Sequence, residues 1–346
     1  MLRRKKGRLS TDVGSLPPRV DVKILDEGAI HTQSSSPLLY DSPSSEIFEQ
    51  EVVDAFVDKI KSGVSLPTYT QFRDMYKMFM DLALTPNLMI PEVFVLQRNL
   101  SEIKDRVGLD TIPVRICMTG TYSLSSRING DKAATITNLT ESLCKILEHS
   151  LFKSKFGEVK QVCIDEPSVG FLNDPFLDYG WHGRDVLRKS WEDICKVASS
   201  RGVETGIHLH DTSDPLFWEV EHLNIIESHV GDSVYYLKST RKNLEEKDKF
   251  LKASVAVTSF NNLIMEKVGS EEKYAESWED INAGKVNPET FLEDEFTMKK
   301  RLTKIVDQFG IERVPYSGPE CGLNGFPTYD CAMKYLQRVS KVVLNN

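Results

Sequence analysis

Short apolar segments alternate with longer amphipathic segments along nearly the whole chain. The short segments predict β-strands at 13–16, 114–118, 162–164, 206–209, 234–237, 255–257 and 313–316. The longer segments predict helices, because their apolar residues recur three and four positions apart, at 49–61, 134–148, 184–198, 294–309 and 328–343. Strict alternation of strand and helix is typical of a parallel sheet whose strands are joined by crossover helices.

Length and charge limit the class of protein. With 346 residues, 40% of them hydrophobic, the chain can bury a large core as one big α/β domain or as two smaller ones. The formal net charge of -8 argues against a nucleic-acid-binding surface, which needs clustered lysine and arginine. The one basic cluster, at 3–8, is typical of a frayed end, so residues 1–11 are predicted to be disordered and residues 12–346 to form a single domain.

Cysteine usage and hydropathy predict the compartment. The 6 cysteines are scattered, with no pair separated by two residues, which is typical of a reducing environment. No segment is long and apolar enough to span a bilayer, and no apolar signal region follows the basic N-terminus. The sequence therefore predicts a cytoplasmic protein.

Polar motifs follow five of the predicted strands. They are Gly14-Ser15, Thr119-Gly120, Asp165-Glu166-Pro167, His208-x-His210 and Gly318-Pro319-Glu320-Cys321. Catalytic groups of a (β/α)8 barrel lie on the loops after the carboxyl ends of its strands, so one ring of strands would bring these motifs together. We therefore expect a single (β/α)8 TIM barrel, with segments 32–45 and 269–295 as surface insertions.

His208 and His210 are the strongest candidates for metal ligands. Side chains two residues apart on a strand project to the same side, so both imidazoles would face one point. Cys321 could complete a site if the strand ends converge, and imidazole with thiolate is a combination that zinc favours. The alternative is a hydrogen-bonded pair of core histidines and a buried cysteine that acts as a small apolar side chain.

Taken in order, the five motifs resemble the catalytic half of cobalamin-independent methionine synthase, and most closely the short single-barrel members of that superfamily. The resemblance extends from about residue 12 to about residue 340. It implies a zinc-dependent S-methyltransferase that transfers a methyl group to the thiol of homocysteine in methionine synthesis. Zinc would supply the thiolate, which is the nucleophile, from a thiol that is otherwise mostly protonated at neutral pH.

The resemblance also implies roles for individual residues. Zinc would be held by His208, His210 and Cys321, while Lys238 occupies the position where the family usually has a glutamate ligand. The residues implied in substrate binding are Gly14, Ser15, Thr119, Asp165 and Glu166. Among these, Ser15 would hold the substrate carboxylate and Asp165 its ammonium group. Asp165 and Glu166 are the implied catalytic carboxylates.

Several positions depart from the family pattern. His210 replaces a cysteine, and an ammonium such as that of Lys238 cannot coordinate a metal. The fourth ligand position would then be open to substrate, or filled by Asp211 or Glu320. Segment 121–127 lacks the tryptophan expected beside a pterin. Segment 257–261 lacks the histidine that serves as an acid in the family. These departures favour a methyl donor other than methyltetrahydrofolate, such as a methylated corrinoid protein.

Two other functions are compatible with the sequence. One is transfer of a different alkyl group, or reaction with a different small thiol, by the same zinc chemistry. The other is a non-catalytic paralogue that acts as a binding or partner subunit. The remaining histidines of interest, His182, His222 and His229, are interpreted as exposed or helix-capping residues on loops and helices.

Overall fold

The fold is an α/β arrangement around one parallel sheet. The structure, a computed structural model, describes residues 8–170 and 174–345. Its strands are β1 Leu9–Ser10, β2 Ile112–Thr119, β3 Gly157–Glu166, β4 Glu204–Leu209, β5 Ile225–Glu227, β6 Phe250–Ala256 and β7 Tyr316–Pro319. Its helices are α1 Val22–His31, α2 Pro37–Tyr40, α3 Pro43–Lys61, α4 Met75–Leu84, α5 Pro91–Val107, α6 Thr121–Ser125, α7 Lys132–Ser150, α8 His182–Ser200, α9 Lys238–Glu246, α10 Phe260–Val268, α11 Glu271–Asn282, α12 Glu295–Phe309 and α13 Tyr329–Leu344.

The sheet is a curled, barrel-like half-ring. Its strand order is β1-β7-β6-β5-β4-β3-β2, and every pairing is parallel. Segment 66–71 lies between the two edge strands, with single bridges from Leu66 to Thr11 and from Thr68 to Arg115. The predicted (β/α)8 barrel is thus confirmed only as a TIM-barrel-like fold, because no continuous eighth strand closes the ring within residues 8–170 and 174–345.

Local chemistry explains the missing strand. Pro67 has no backbone N–H to give to a ladder. The N–H of Thr68 donates to the Asp12 carboxylate at 2.8 Å instead of to a neighbouring strand. The segment therefore reaches both edges without forming a regular strand of its own.

The predicted helices are confirmed, but several strands begin or end elsewhere. Segment 234–237 is not a strand: the 3-10 turn Ser233–Tyr235 occupies it, and the Asp232 side chain caps this turn by accepting from the N–H of Val234 at 2.8 Å. The strand that follows β4 is instead β5, which ends ten residues before the predicted strand does. At the N-terminus, Leu9–Ser10 pairs with β7 and so joins the sheet, whereas residues 1–7 of the predicted disordered end lie outside the described residues.

The interior of the sheet carries buried, paired charges. Lys59 lies 2.8 Å from Asp12, and Glu227 is paired with both Arg115 and Lys252. Isolated buried charges are very costly, so these groups are stable only as a neutralising network. Burial alone would raise the pKa of Glu227, but the two cations outweigh it and hold that pKa well below its usual range.

Outside the sheet, the apolar faces of the helices form the core. In the described part of the chain, no helix combines the length and apolarity needed to cross a membrane. All 6 cysteines are free thiols. The two segments interpreted as insertions contain the short helix α2 and the helix α11.

Candidate metal and substrate site

Strand register brings four polar residues into one row at the carboxyl edge of the sheet. Thr119 of β2 is the register partner of Asp165 on β3, Asp165 is the partner of His208 on β4, and His208 is the partner of Glu227 on β5. Register partners on adjacent parallel strands point to the same face of the sheet. Three separate sequence motifs therefore meet at one level of the curled sheet.

His208 is built into the floor of this site. His208 is completely buried, and neither ring nitrogen has a hydrogen-bond partner among the residues that the structure describes. Its Nε2 lies 4.0 Å from Oδ1 of Asp165. Buried polar atoms are nearly always paired, so a buried ring with two unpaired nitrogens is a candidate metal ligand.

Three further side chains surround the free face of His208. Donor atoms of His208, His210, His229 and Cys321 all lie within 4.8 Å of one another. The rings of His210 and His229 are 4.0 Å apart between centroids, and Nε2 of His210 is 3.6 Å from Sγ of Cys321. Tetrahedral zinc with ordinary Zn–N and Zn–S bond lengths separates a nitrogen ligand from a sulfur ligand by roughly 3.6 Å. The cluster therefore fits a zinc ion in both donor type and spacing.

The protonation states suit metal binding. Burial, reinforced by mutual repulsion among the rings, lowers the pKa of His210 to about 4. Burial also lowers the pKa of His229 to about 4, with a further contribution from Lys252. These imidazoles are neutral at neutral pH, which is the form that coordinates metals. Burial raises the pKa of the Cys321 thiol to about 12, and a bound divalent cation would reverse that effect.

Asp165 and Glu166 occupy different surroundings. The Asp165 carboxylate faces the cluster, Oδ1 has no partner, and burial together with Glu166 raises its pKa to about 7. Glu166 points to the opposite face, is fully buried, and accepts hydrogen bonds from the N–H groups of Tyr122 and Ser123 and from Nε1 of Trp191. The structure thus brings Asp165 to the site, whereas Glu166 braces the start of helix α6.

The loop that contains Gly14 and Ser15 lies against the Cys321 loop. Gly14 adopts a φ of 133°, a conformation that favours glycine, and its carbonyl accepts from Nζ of Lys59 at 2.7 Å. The N–H of Leu323 donates to the Ser15 carbonyl at 2.9 Å. The Ser15 hydroxyl occupies the space where a side chain at Gly322 would lie. Ser15 is therefore a direct neighbour of the loop that carries the thiol.

Lys238 lies outside the cluster. It is the exposed first residue of helix α9, and the glutamate at the end of the preceding strand is Glu227. His182 is likewise exposed at the first position of α8. His222 pairs with Glu192 in a separate group with Glu221 near the surface.

His229 is the functional candidate that sequence reasoning missed. The interpretation as a helix end was wrong, because the residue follows β5 by two positions and lies on the loop at the carboxyl edge. The signal was present in Ile225-Ile226-Glu227, an apolar pair before an acid, but β5 is only 3 residues long. A strand this short carries too little alternation to be recognised from its sequence.

Comparison with known proteins shows similarity of fold. No protein-family model and no curated protein matches the sequence. Among solved structures, the B12-independent methionine synthase from Shewanella sp. W3-18-1 in complex with selenomethionine has a TM-score of 0.60 at 11% identity, over 97% of each chain. The homocysteine methyltransferase MmuM from Escherichia coli has a TM-score of 0.43 at 8% identity, over 99% of this chain and 98% of its own. At these identities the likeness to the methionine synthase shows that the two chains share a fold, and the lower score of MmuM adds nothing to it.

Proposed function

We propose that this chain is a zinc-dependent S-methyltransferase that methylates the thiol of homocysteine or of a similar small amino-acid thiol. The observation that carries the proposal is the group of two imidazoles and one thiol, from His210, His229 and Cys321, around the unpaired ring nitrogens of His208. The unpaired Oδ1 of Asp165 beside this group supports an acceptor that bears an ammonium. The shared fold is compatible with this chemistry but does not by itself imply it.

Each residue of the site has a part in this proposal. Zinc would be held by His208, His210, His229 and Cys321, and the substrate thiol would replace one of the three ligands other than His208. When bound, zinc would supply the acceptor thiol as a thiolate at neutral pH. Asp165 would bind the substrate ammonium through a charge-assisted hydrogen bond. Ser15, next to the Cys321 loop, would donate to the substrate carboxylate.

The proposed reaction is a direct methyl transfer. A sulfur lone pair forms the new S–CH3 bond while the bond from the methyl carbon to the donor breaks, and the electron pair of that bond leaves with the donor. The thiol proton is released to solvent. We propose a methylated corrinoid protein as donor, for which methylcobalamin is the simplest probe.

The first test is metal binding combined with homocysteine binding. We expect about one zinc per purified chain. X-ray absorption at the zinc edge is expected to show one additional sulfur ligand when homocysteine is added. Incubation with methylcobalamin and homocysteine should then yield methionine, with methyltetrahydrofolate as the comparison donor. A chain that holds no zinc after reconstitution would contradict the proposal.

The substrate role of Asp165 gives a second prediction. Asp165→Asn keeps the shape of the side chain but removes the charge, so we expect KM for homocysteine to rise by roughly 10–100-fold, as for the loss of a hydrogen bond to a charged group. A thiol without an amino group should react equally well with both proteins. Equal KM values for homocysteine in both proteins would contradict the assigned role.

One observation favours the alternative of a non-catalytic paralogue. Four protein ligands are typical of a structural zinc site, whereas catalytic sites keep a position for water or substrate. The same absorption measurement separates the two functions, because a closed site would show no added sulfur with homocysteine. If other small thiols add a sulfur and homocysteine does not, the proposal of a different acceptor would replace the first.

A further inference from the structure

Glu320 joins the loops that follow two neighbouring strands, β5 and β6, to the end of β7. Its side chain is only 6% exposed, and it immediately precedes Cys321. One carboxylate oxygen accepts from the N–H of Thr258 at 2.8 Å, and the other accepts from the N–H of Val230 at 2.8 Å. Thr258 lies after β6 and Val230 lies after β5, so a single carboxylate ties both loops to the end of β7.

One of the two residues held by Glu320, Val230, is the residue next to His229. The carboxyl end of β5 is at Glu227, so His229 and Val230 lie beyond the ladder hydrogen bonds of that strand. The contact from Val230 to Glu320 spans from β5 across β6 to β7. The backbone of Glu320 is itself fixed, because its N–H donates to the carbonyl of Ala256 at 2.9 Å. The carboxylate therefore sets where His229 lies relative to Cys321.

We infer that Glu320 is a positioning residue that holds His229 at bonding distance from a metal shared with Cys321. This inference rests on the proposed function, since it requires a metal in the cluster. Glu320 does not need to touch the metal, because both of its carboxylate oxygens are occupied by backbone N–H groups. Groups that orient metal ligands commonly contribute about 10–100-fold to metal affinity.

The Glu320→Gln variant tests the role with little change in shape. A glutamine side chain has one acceptor oxygen and one donor nitrogen, so its amide nitrogen would meet one of the two N–H groups and that hydrogen bond would be lost. The chain offers a matched control in Glu293, which is also buried and accepts from the N–H of Val257 at 2.8 Å. Glu293 pairs with Arg301 and Tyr335 and makes no hydrogen bond to the loop of His229.

The experiment is a titration of the metal-free full-length protein with Co²⁺, whose absorption spectrum reports ligand number and a bound thiolate. We expect Glu320→Gln to weaken Co²⁺ binding by roughly 10–100-fold and to shift the visible bands away from those of the wild-type protein. Glu320→Gln and Glu293→Gln are both expected to lower the melting temperature of the metal-free protein, by similar amounts. Glu293→Gln should leave both the Co²⁺ affinity and the Co²⁺ spectrum unchanged. Glu320→Asp, whose side chain is too short to reach both loops, should behave like Glu320→Gln and serves if that variant does not fold.

The outcomes separate this inference from the proposed function. A wild-type Co²⁺ spectrum and affinity in both Glu320 variants would overturn the positioning role while leaving the metal site intact. Equal changes in Glu293→Gln would also overturn it, because they would show a general effect of loop stability. A wild-type protein that binds no Co²⁺ would overturn the proposed function, and the positioning role would be wrong with it.

Discussion

Replacing His208 by alanine is expected to reduce the zinc content from about one ion per chain to a trace. The physical reason is that His208 is the completely buried member of the cluster and has no hydrogen bond to any other group. Loss of a direct ligand should cost more than the about 10–100-fold that follows the loss of an outer partner. Elemental analysis of the dialysed protein and competition with a chelator measure this directly. Cys321→Ala should give the same result.

A matched control comes from the second group of possible ligands. His222 lies with Glu192 and Glu221, and the donor atoms of these three residues are also close enough to share an ion. His222→Ala should keep the zinc, because that histidine is already paired with Glu192. If His222→Ala loses the metal and His208→Ala keeps it, the site assignment is wrong.

Stability provides an independent measure of the same event. A ligand present at 100 times its Kd stabilises the native state by about 2.7 kcal/mol. Zinc should therefore raise the melting temperature of the wild-type protein but not that of His208→Ala. Without metal, the substitution also removes two unpaired buried nitrogens, whose burial is itself unfavourable. We therefore expect the two metal-free proteins to differ less in stability than the two proteins measured in zinc.

Much of the site could be predicted from the sequence because it lies at strand ends. The pair His208 and His210 follows a recognisable apolar run, and the alternation of side chains places both on one face. The same alternation separates Asp165 from Glu166, because adjacent residues on a strand point to opposite faces. Asp165 therefore faces the cluster, whereas Glu166 accepts hydrogen bonds from Tyr122, Ser123 and Trp191 on the other face.

The rest depended on register and on contacts between distant segments. His229 reaches the cluster only because β5 pairs with β4 so that Glu227 lies beside His208. No local pattern specifies this pairing, and the apolar segment at 234–237 resembles a strand more strongly than β5 does. The interpretation of Lys238 as the family's glutamate position depended on the same misplaced strand, because Lys238 directly follows segment 234–237. The hydrogen bonds of Glu320 depend on the final positions of the loops after β5, β6 and β7, which a linear pattern does not contain.

Replacing Arg115 by methionine is expected to produce the largest loss of stability of any single change considered for this chain. Arg115 is 1% exposed and pairs with Glu227, which is also 1% exposed. Removing one partner of a buried pair typically costs about 3–5 kcal/mol, and we expect the lower end of this range because Glu227 keeps its pair with Lys252. Urea unfolding followed by circular dichroism measures the change. Lys242→Met, which removes an exposed pair with Glu246, should change stability by less than about 1 kcal/mol.

The double variant tests why the pair is present. Arg115→Met with Glu227→Met removes both charges, and if the cost of the single variant comes from the charge left behind, the double variant should recover a large part of the lost stability. Lys252 limits this recovery, because it pairs with Glu227 at 2.8 Å and would lose that partner.

Nζ of Lys252 also donates to the carbonyl of Pro319 at 2.7 Å, two residues before Cys321. The network therefore connects the interior of the sheet to the loop of the thiol. A double variant that recovers stability but binds zinc less tightly would show that these buried charges are retained for the geometry of the site, whereas recovery of both properties would assign them to packing alone.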